Sequence, residues 1–334
     1  MKKVLKQLIR PIYWWGRIRI LFLYNFYIDL RLYKKYSIVF GKKDLLQKEA
    51  DLILNYHSLE KGMLFEDMKK GFAAYRISNL HKILKDHEVL KSIDRSQIRV
   101  GYEVMCKYYE LHQDKGWDID DIYTKEQYEF YKNILAGFYS NTFKGVYDFS
   151  KEEFYRNVKN NDFQEFAHSR KSVRDFTGEK IDSSIIEKVI ELANTAPSVC
   201  NRQASNVYLI EDKKKVDSLL AVQGGFVGYT ENVSQLLILT NDRKYYYTIG
   251  ERNQLYIDGG IYLMNLLYAL HYYEVGNCPA NWGKEVSDDR KVLSIINIPE
   301  SEKIICMIPI GKCKSNFRTT LSLRRGYSEN FKKI

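Results

Sequence analysis

Paired cysteines, clustered histidines and long apolar runs are all missing from this sequence, and each absence removes a class of protein. The five cysteines (Cys106, Cys200, Cys278, Cys306, Cys313) form no C-x-x-C pair. An odd number, with no secretory leader ahead of it, points to reduced thiols in a cytoplasmic setting rather than to a disulfide framework. The six histidines are scattered, no two at metal-ligand spacing, so no zinc or iron site is expected. The basic N-terminal stretch has no uncharged run longer than the nine residues Ile20 to Ile28. A helix that crosses a bilayer needs about 20. Arg17 and Arg19 interrupt that stretch and no small-residue cleavage site follows, which also argues against a signal peptide. Proline is absent between residues 44 and 165, where the text is rich in Leu, Ile, Lys, Glu and Tyr.

What is present suits a soluble globular chain: 45% hydrophobic and 28% charged residues, over a length of 334 that allows two units. The net charge of +10 is confined to one end. Residues 1–43 carry eleven Lys and Arg against one acid, Asp29, an excess equal to that of the whole chain. The remainder is neutral, which excludes a general nucleic-acid binder. Trp14, Trp15, Phe22, Tyr24, Phe26 and Tyr27 stand among those cations. They fit either an interfacial segment attracted to anionic lipid at the inner face of a membrane, or a helix packing its aromatics onto its own domain.

Three regions are expected: a basic aromatic segment at 1–43, a helical region at 44–160, and a second domain at 161–334 after the polar run Lys159–Asp162. LLQKEADLILNYHSLEKGM reads as a helix stopping at Gly62. SNLHKILKDHEVLKSI, SQIRVGYEVMCKYYELHQDKG and QYEFYKNILAGFYSNTF read as further helices. Within HSLEKGM, His57, Glu60 and Lys61 could form an acid–base group; a solvated helix end is the preferred reading. After residue 160, helices alternate with short β runs. IDSSIIEKVIELANTAPS is a helix with Ser184 and Glu187 as a capping box and Pro197 at its end. NVYLIE (206–211), SQLLILT (234–240) and IICMIPI (304–310) read as buried strands. The stretch 252–276 reads as a helix apolar around most of its circumference, which must be buried on nearly all sides and suggests a subunit interface.

SRKSVRDF (169–176) gathers three cations and a hydroxyl. If the chain is extended here, Arg170, Ser172 and Arg174 share one face. Guanidinium forks there would suit a phosphate or a delocalised anion. The same region continues with Ala196-Pro197-Ser198-Val199-Cys200-Asn201-Arg202-Gln203, Pro279-Ala280-Asn281-Trp282 and Arg324-Arg325. In this order and spacing, residues 164–331 resemble the nitroreductase family of FMN-dependent oxidoreductases; the first half of the chain lies outside the resemblance.

That resemblance implies an α+β fold, a mixed, mostly antiparallel sheet flanked by helices in an intertwined homodimer, here preceded by an all-α N-terminal region. It implies FMN at the dimer interface, touched by both subunits. Arg170, Lys171 and Ser172 would hold the phosphate and ribityl chain, and Arg174 the N1–C2 edge of the ring. Arg324 and Arg325 would complete the phosphate site, with Lys312 or Arg318 as helpers. Pro197, Ser198 and Asn201 would reach the flavin of the other subunit. Pro279 to Trp282 would pass the ring near N5, with a backbone N–H of Asn281 or Trp282 as the catalytic hydrogen-bond donor. The implied reaction is hydride transfer from NADH or NADPH through flavin N5 to a small-molecule acceptor, nitro, quinone or related, with ping-pong kinetics. A second reading makes the chain a flavin-binding dimer module of a membrane-surface or partner-binding protein in a cell-surface polysaccharide pathway, with little nicotinamide-dependent activity. The family's Gln-Pro-Trp is replaced by Gln203-Ala204-Ser205, which puts local packing in question. Gln223 to Gly228 reads as a flexible connection, since no Lys-Ser or Lys-Thr follows its glycines. Cys200 and Cys278 border the site and are expected as small packed residues.

Overall fold

The β runs pair into one sheet. In the computed structural model, which describes residues 2–42, 44–63, 65, 67–139, 143, 145, 162–315, 317, 319, 327 and 331–334, the strands are β1 (Ser205–Ile210), β2 (Gln235–Asp242), β3 (Gly276–Asn277), β4 (Ala280–Asn281) and β5 (Glu302–Gly311). Their order is β1-β2-β5-β3, with β4 also on β5, and every described pair is antiparallel. All eight residues of β2 are buried, because it lies inside the sheet with helices on both faces.

Strand alternation divides the core. Leu236, Ile238 and Met307 point to a layer built with Val216, Leu219 and Leu220 of α9 (Lys213–Gln223) and Val292 of α11 (Val286–Ile295). Leu237, Leu239, Cys306 and Ile308 point the other way, onto α8 (Ser183–Ala193) and α10 (Gln254–Tyr272). The α8 cap differs from expectation: Asp182 is the N-cap, its carboxylate accepting from Ser184 N–H at 2.8 Å, and Ser184 already belongs to the helix. The α10 helix is shorter than its apolar run. Ile257, Ile261 and Met264 remain 53%, 40% and 39% exposed, a stripe without cover in one chain.

Ahead of the sheet, α2 (Leu45–Met63), α3 (Ala74–Leu84), α4 (His87–Leu90), α5 (Ser96–Asp114) and α6 (Lys125–Leu135) form a helical layer with its own core. The stretch read as one helix at 78–93 is broken, and Asp86 caps the second piece. Gly62 lies inside α2 rather than beyond its end; a Cβ there would fall 1.9 Å from the Phe72 ring, so close approach explains the glycine. His57 and Glu60 pair with each other at 2.8 Å on α2. His81 is buried, its Nδ1 2.7 Å from the Tyr131 hydroxyl and its ring edge-on to Tyr123. This core extends into the sheet-bearing half through Ala204, Tyr245, Tyr246 and Leu255.

The basic segment is one helix, α1 (Lys2–Tyr36). Its second half docks on the sheet-bearing half: Asp29 meets Arg243 at 3.3 Å, Tyr33 donates to Thr248 O, and Glu300 takes Lys35 and Tyr36. Ile20, Leu23, Phe26, Tyr27 and Leu30 stay 60–70% exposed. The segment thus packs on its own chain through one face, while Tyr24, Phe26 and Tyr27, expected to pack there if the helix buried its aromatics, stay exposed. Among the described residues no helix is long and apolar enough to cross a membrane.

Candidate functional site

The cluster at 170–174 follows a short helix, α7 (Phe163–Ser169), capped by Asp162. The backbone then leaves the helical region at Arg170 (φ −61°, ψ 119°). Val173 N–H donates to Asn277 O at 2.8 Å and Thr177 N–H to Lys312 O at 3.0 Å. Val173 and Phe176 are buried in the core, which fixes the residues between them.

Alternation along this run separates two faces, as the sequence pattern requires. Arg174, Ser172 and Arg170 all act electrostatically on the thiol of Cys278. Burial pushes that thiol up, while the Arg174 charge, a hydrogen bond with Ser172 and the Arg170 charge pull it down. Arg170 Nη1 is buried with no hydrogen-bond partner. A buried guanidinium nitrogen left unpaired is costly, so the arrangement fits an absent anion. Lys171 faces elsewhere: it is exposed and donates to His168 O. With Val173, His271, Asn277 and Lys312 it lines a separate cleft of about 540 Å³. There Ser169 Oγ is 2.7 Å from His271 Nε2, and burial, then the Arg170 charge, lower the imidazole pKa. Lys312, a candidate phosphate helper, pairs instead with Glu179 at 2.6 Å. Arg318, Arg324 and Arg325 lie outside the described residues.

The second segment makes a tight turn after α8. Cys200, Asn201 and Gln203 adopt φ of 49°, 54° and 52°, with a right-handed Arg202 between the last two; such left-handed positions are seldom accepted by non-glycine residues and tend to collect at functional sites. Contacts from α10 hold it. Val199 N–H donates to Asp258, Asn265 Nδ2 donates to Ala193 O, and Tyr262 OH donates to Asn194. Arg202 is 1% exposed and bound to Glu251 at 2.7 Å. Gln203 N–H donates to Ser198 Oγ at 2.9 Å. Ala196, Pro197, Ser198, Gln203, Asp258 and Tyr262 line a cleft of about 200 Å³. Pro197 and Asn201 are exposed. Among the described residues no hydrogen bond or ion pair joins this turn to Arg170, Ser172 or Arg174, and the two segments open on different clefts. Ala204, where the family has a bulkier pair, is buried against the helical layer.

The third segment follows Cys278, whose N–H donates to Pro309 O. Pro279 leads into β4, so Ala280 and Asn281 are held on β5 opposite Met307 and Cys306. Trp282 is 5% exposed and its Nε1 donates to Asp289 at 2.7 Å. The glycine stretch after α9 is better tied than expected. Gln223 Nε2 donates to Asn281 O at 3.0 Å, and Gln223 Oε1 accepts from Gly225 N–H at 2.6 Å. In the trans peptide joining Asn281 to Trp282, the carbonyl and the N–H point in opposite directions. Gln223 thereby directs the Trp282 N–H away from itself. Gln223, Asp258 and Arg202 were not singled out by sequence reasoning; a glutamine before two glycines, an acid in an apolar helix and an arginine inside a motif were the available signals.

The model of the Nitroreductase family matches residues 167–227, which include Arg170 to Arg174, the 196–203 turn and Gln223. Among solved structures, a nitroreductase-like protein from Streptococcus mutans is 21% identical, covering 53% of this chain and 99% of its own, with a TM-score of 0.45. An FMN-dependent nitroreductase from Clostridium difficile is 16% identical over 47% of this chain and 91% of its own, TM-score 0.41. A provisionally named nitroreductase in complex with FMN from Desulfovibrio desulfuricans is 20% identical over 52% and 97%, TM-score 0.45. Residues 167–227 of the chain are similar to the Nitroreductase family, and a helical region lies ahead of them.

Proposed function

We propose that the chain is an FMN-dependent oxidoreductase that takes hydride from NADH or NADPH and passes it to a small acceptor at the same site, in a ping-pong sequence. The observation that carries this reading is the buried, unpaired Nη1 of Arg170, on a run anchored in the core by Val173 and Phe176. FMN, when bound, supplies the hydride chemistry. Arg170 and Ser172 bind its phosphate end through charge-assisted hydrogen bonds. Arg174 puts a fixed cation against the electron-rich edge of the ring, which favours the reduced, anionic form. The backbone of Pro279–Trp282 lines the ring, with the Asn281 or Trp282 N–H as donor, and Gln223 fixes the orientation of the peptide between them. Arg324 and Arg325 belong to the same proposed phosphate site.

The reading includes a homodimer. The turn carrying Pro197 and Ser198 lines a cleft to which Arg170, Ser172 and Arg174 do not contribute, which suits a site shared between two copies. The exposed stripe of α10 supplies the apolar face for association. Division into 1–43, 44–160 and 161–334, and residence in the cytoplasm, are parts of the same proposal. Anaerobic titration of the purified protein with NADH and with NADPH tests it. Bleaching of an oxidised flavin spectrum by either nicotinamide supports the enzyme; a bound flavin that neither reduces refutes it and favours a binding module.

A further inference from the structure

The N-terminal helix carries no part of the family signature, yet it stands directly against the segment that follows β4. Asn25 Oδ1 accepts from Val286 N–H at 2.8 Å, and the Tyr24 hydroxyl accepts from Arg290 at 2.6 Å. These contacts hold α1 beside the backbone of Trp282 to Val286 rather than on it. Between the two lies an open cleft of about 480 Å³, lined by Leu21, Phe26, Tyr256, Trp282, Lys284 and Lys303 among others.

We infer that this cleft is a binding site for a planar aromatic molecule bearing an acidic group, and that α1 is one of its walls. Three aromatic side chains from three separate elements meet there. Phe26 and Tyr256 are 63% and 44% exposed, while Trp282 is held in the wall by Asp289. Flat aromatic surfaces of this kind gain most from an aromatic partner. The charges in the cleft select the ligand further. Lys303 is neutralised by Asp289, and Asp29 by Arg243. Lys284 makes no ion pair among the described residues; Asp288, whose pKa its charge helps to lower, is already bound by Lys291 at 2.8 Å, and the Lys284 ammonium lies beside the Gly224 turn, 3.7 Å from where a Cβ on that glycine would stand. Glu285 also lines the cleft but is exposed, whereas Lys284 is half-buried. The ammonium is therefore the less screened of the two charges, and the cleft favours an anion on the Lys284 side.

The cleft starts at Trp282, one residue beyond Asn281. On the proposed function, on which this inference rests, that is where a second substrate would stand to receive electrons. The extension then contributes to choice of acceptor, and the acceptor is an aromatic acid rather than a neutral ring.

The probes are 4-nitrobenzoate and 4-nitrobenzamide, equal in shape and different in charge, titrated calorimetrically into the full-length protein saturated with FMN. Wild type is expected to bind the benzoate more tightly than the amide. Lys284→Met removes that preference, a change of about threefold. Phe26→Ala weakens both probes about fivefold, and neither variant changes flavin content. Tyr75→Ala, at an exposed aromatic on α3 outside the cleft, leaves both affinities unchanged. Wild-type affinities in both cleft variants, or tighter binding of the amide, overturn the inference. Because the cleft is lined by protein alone, the same titration on flavin-free protein separates failure of this site from failure of FMN binding.

Discussion

Gln223 is the residue whose replacement reads the site's architecture most cleanly. It is 8% exposed and joins two parts of the chain 58 residues apart, donating to Asn281 O and accepting from Gly225 N–H. Gln223→Leu keeps the bulk and removes both bonds. A buried group left unpaired costs roughly 1–3 kcal/mol. Gly225 and Asn281 are both exposed residues whose backbone can recover water, so a total of about 1–2 kcal/mol is expected. Gln223→Glu is the sharper variant. It retains the acceptor for Gly225 but sets a carboxylate oxygen against the Asn281 carbonyl, two acceptors facing each other. Its folded pKa is raised, because the protonated acid can donate where the carboxylate cannot. Stability contributed by that proton is present at low pH and lost as pH rises through the raised pKa. Urea denaturation of wild type and both variants across pH is the assay. The deficit of Gln223→Glu against wild type should shrink on acidification, while that of Gln223→Leu stays constant. Parallel curves for the two variants, or a Leu variant as stable as wild type, would refute the assigned hydrogen bonds.

Three further outcomes follow from named contacts. Burial pushes the His81 imidazole down to about 4 from the usual 6.5. Its folded pKa lies below its unfolded one, so stability present above the unfolded value is lost as pH falls toward the folded value. After discount for partial screening, wild type should lose about 1–2 kcal/mol relative to His81→Phe between neutral pH and about pH 4.5; denaturation midpoints that move in parallel would contradict this. Ile261→Glu places a charge on the exposed stripe of α10 and should convert a dimer to a monomer by light scattering, whereas a wild-type monomer or a variant that still dimerises would remove α10 from the interface. The cleft beside α1 is tested by the paired probes and variants already described.

The sequence made β2 and β5 legible because each is an apolar run in the interior of the sheet, and β2 is buried at every position; β1, expected to be buried, is an edge strand with no fully buried residue. The extended backbone that begins at Arg170 was legible too, since a run of alternating residue types after a short helix needs no distant contact. Other features depend on contacts between distant segments and leave no local trace. Gly62 resembles a helix terminator until Phe72 is seen against it. Gln223 resembles part of a loose glycine loop until Asn281 O appears at its amide. The α8 cap moved because Asp182 and Ser184 both suit the position, and only the backbone geometry chooses between them. The docking of α1 on Arg243, Val286 and Glu300 joins segments more than 200 residues apart, which a pattern of aromatics and cations cannot encode.

The most direct measurement of the central claim is the flavin content of the purified full-length protein and of Arg170→Ala, from visible absorption and released FMN. Wild type should be yellow and hold FMN, or take it up when supplied, and the variant should be nearly colourless because the unpaired guanidinium nitrogen is gone. A wild-type protein that neither contains nor accepts FMN, or equal flavin in both proteins, would contradict the account.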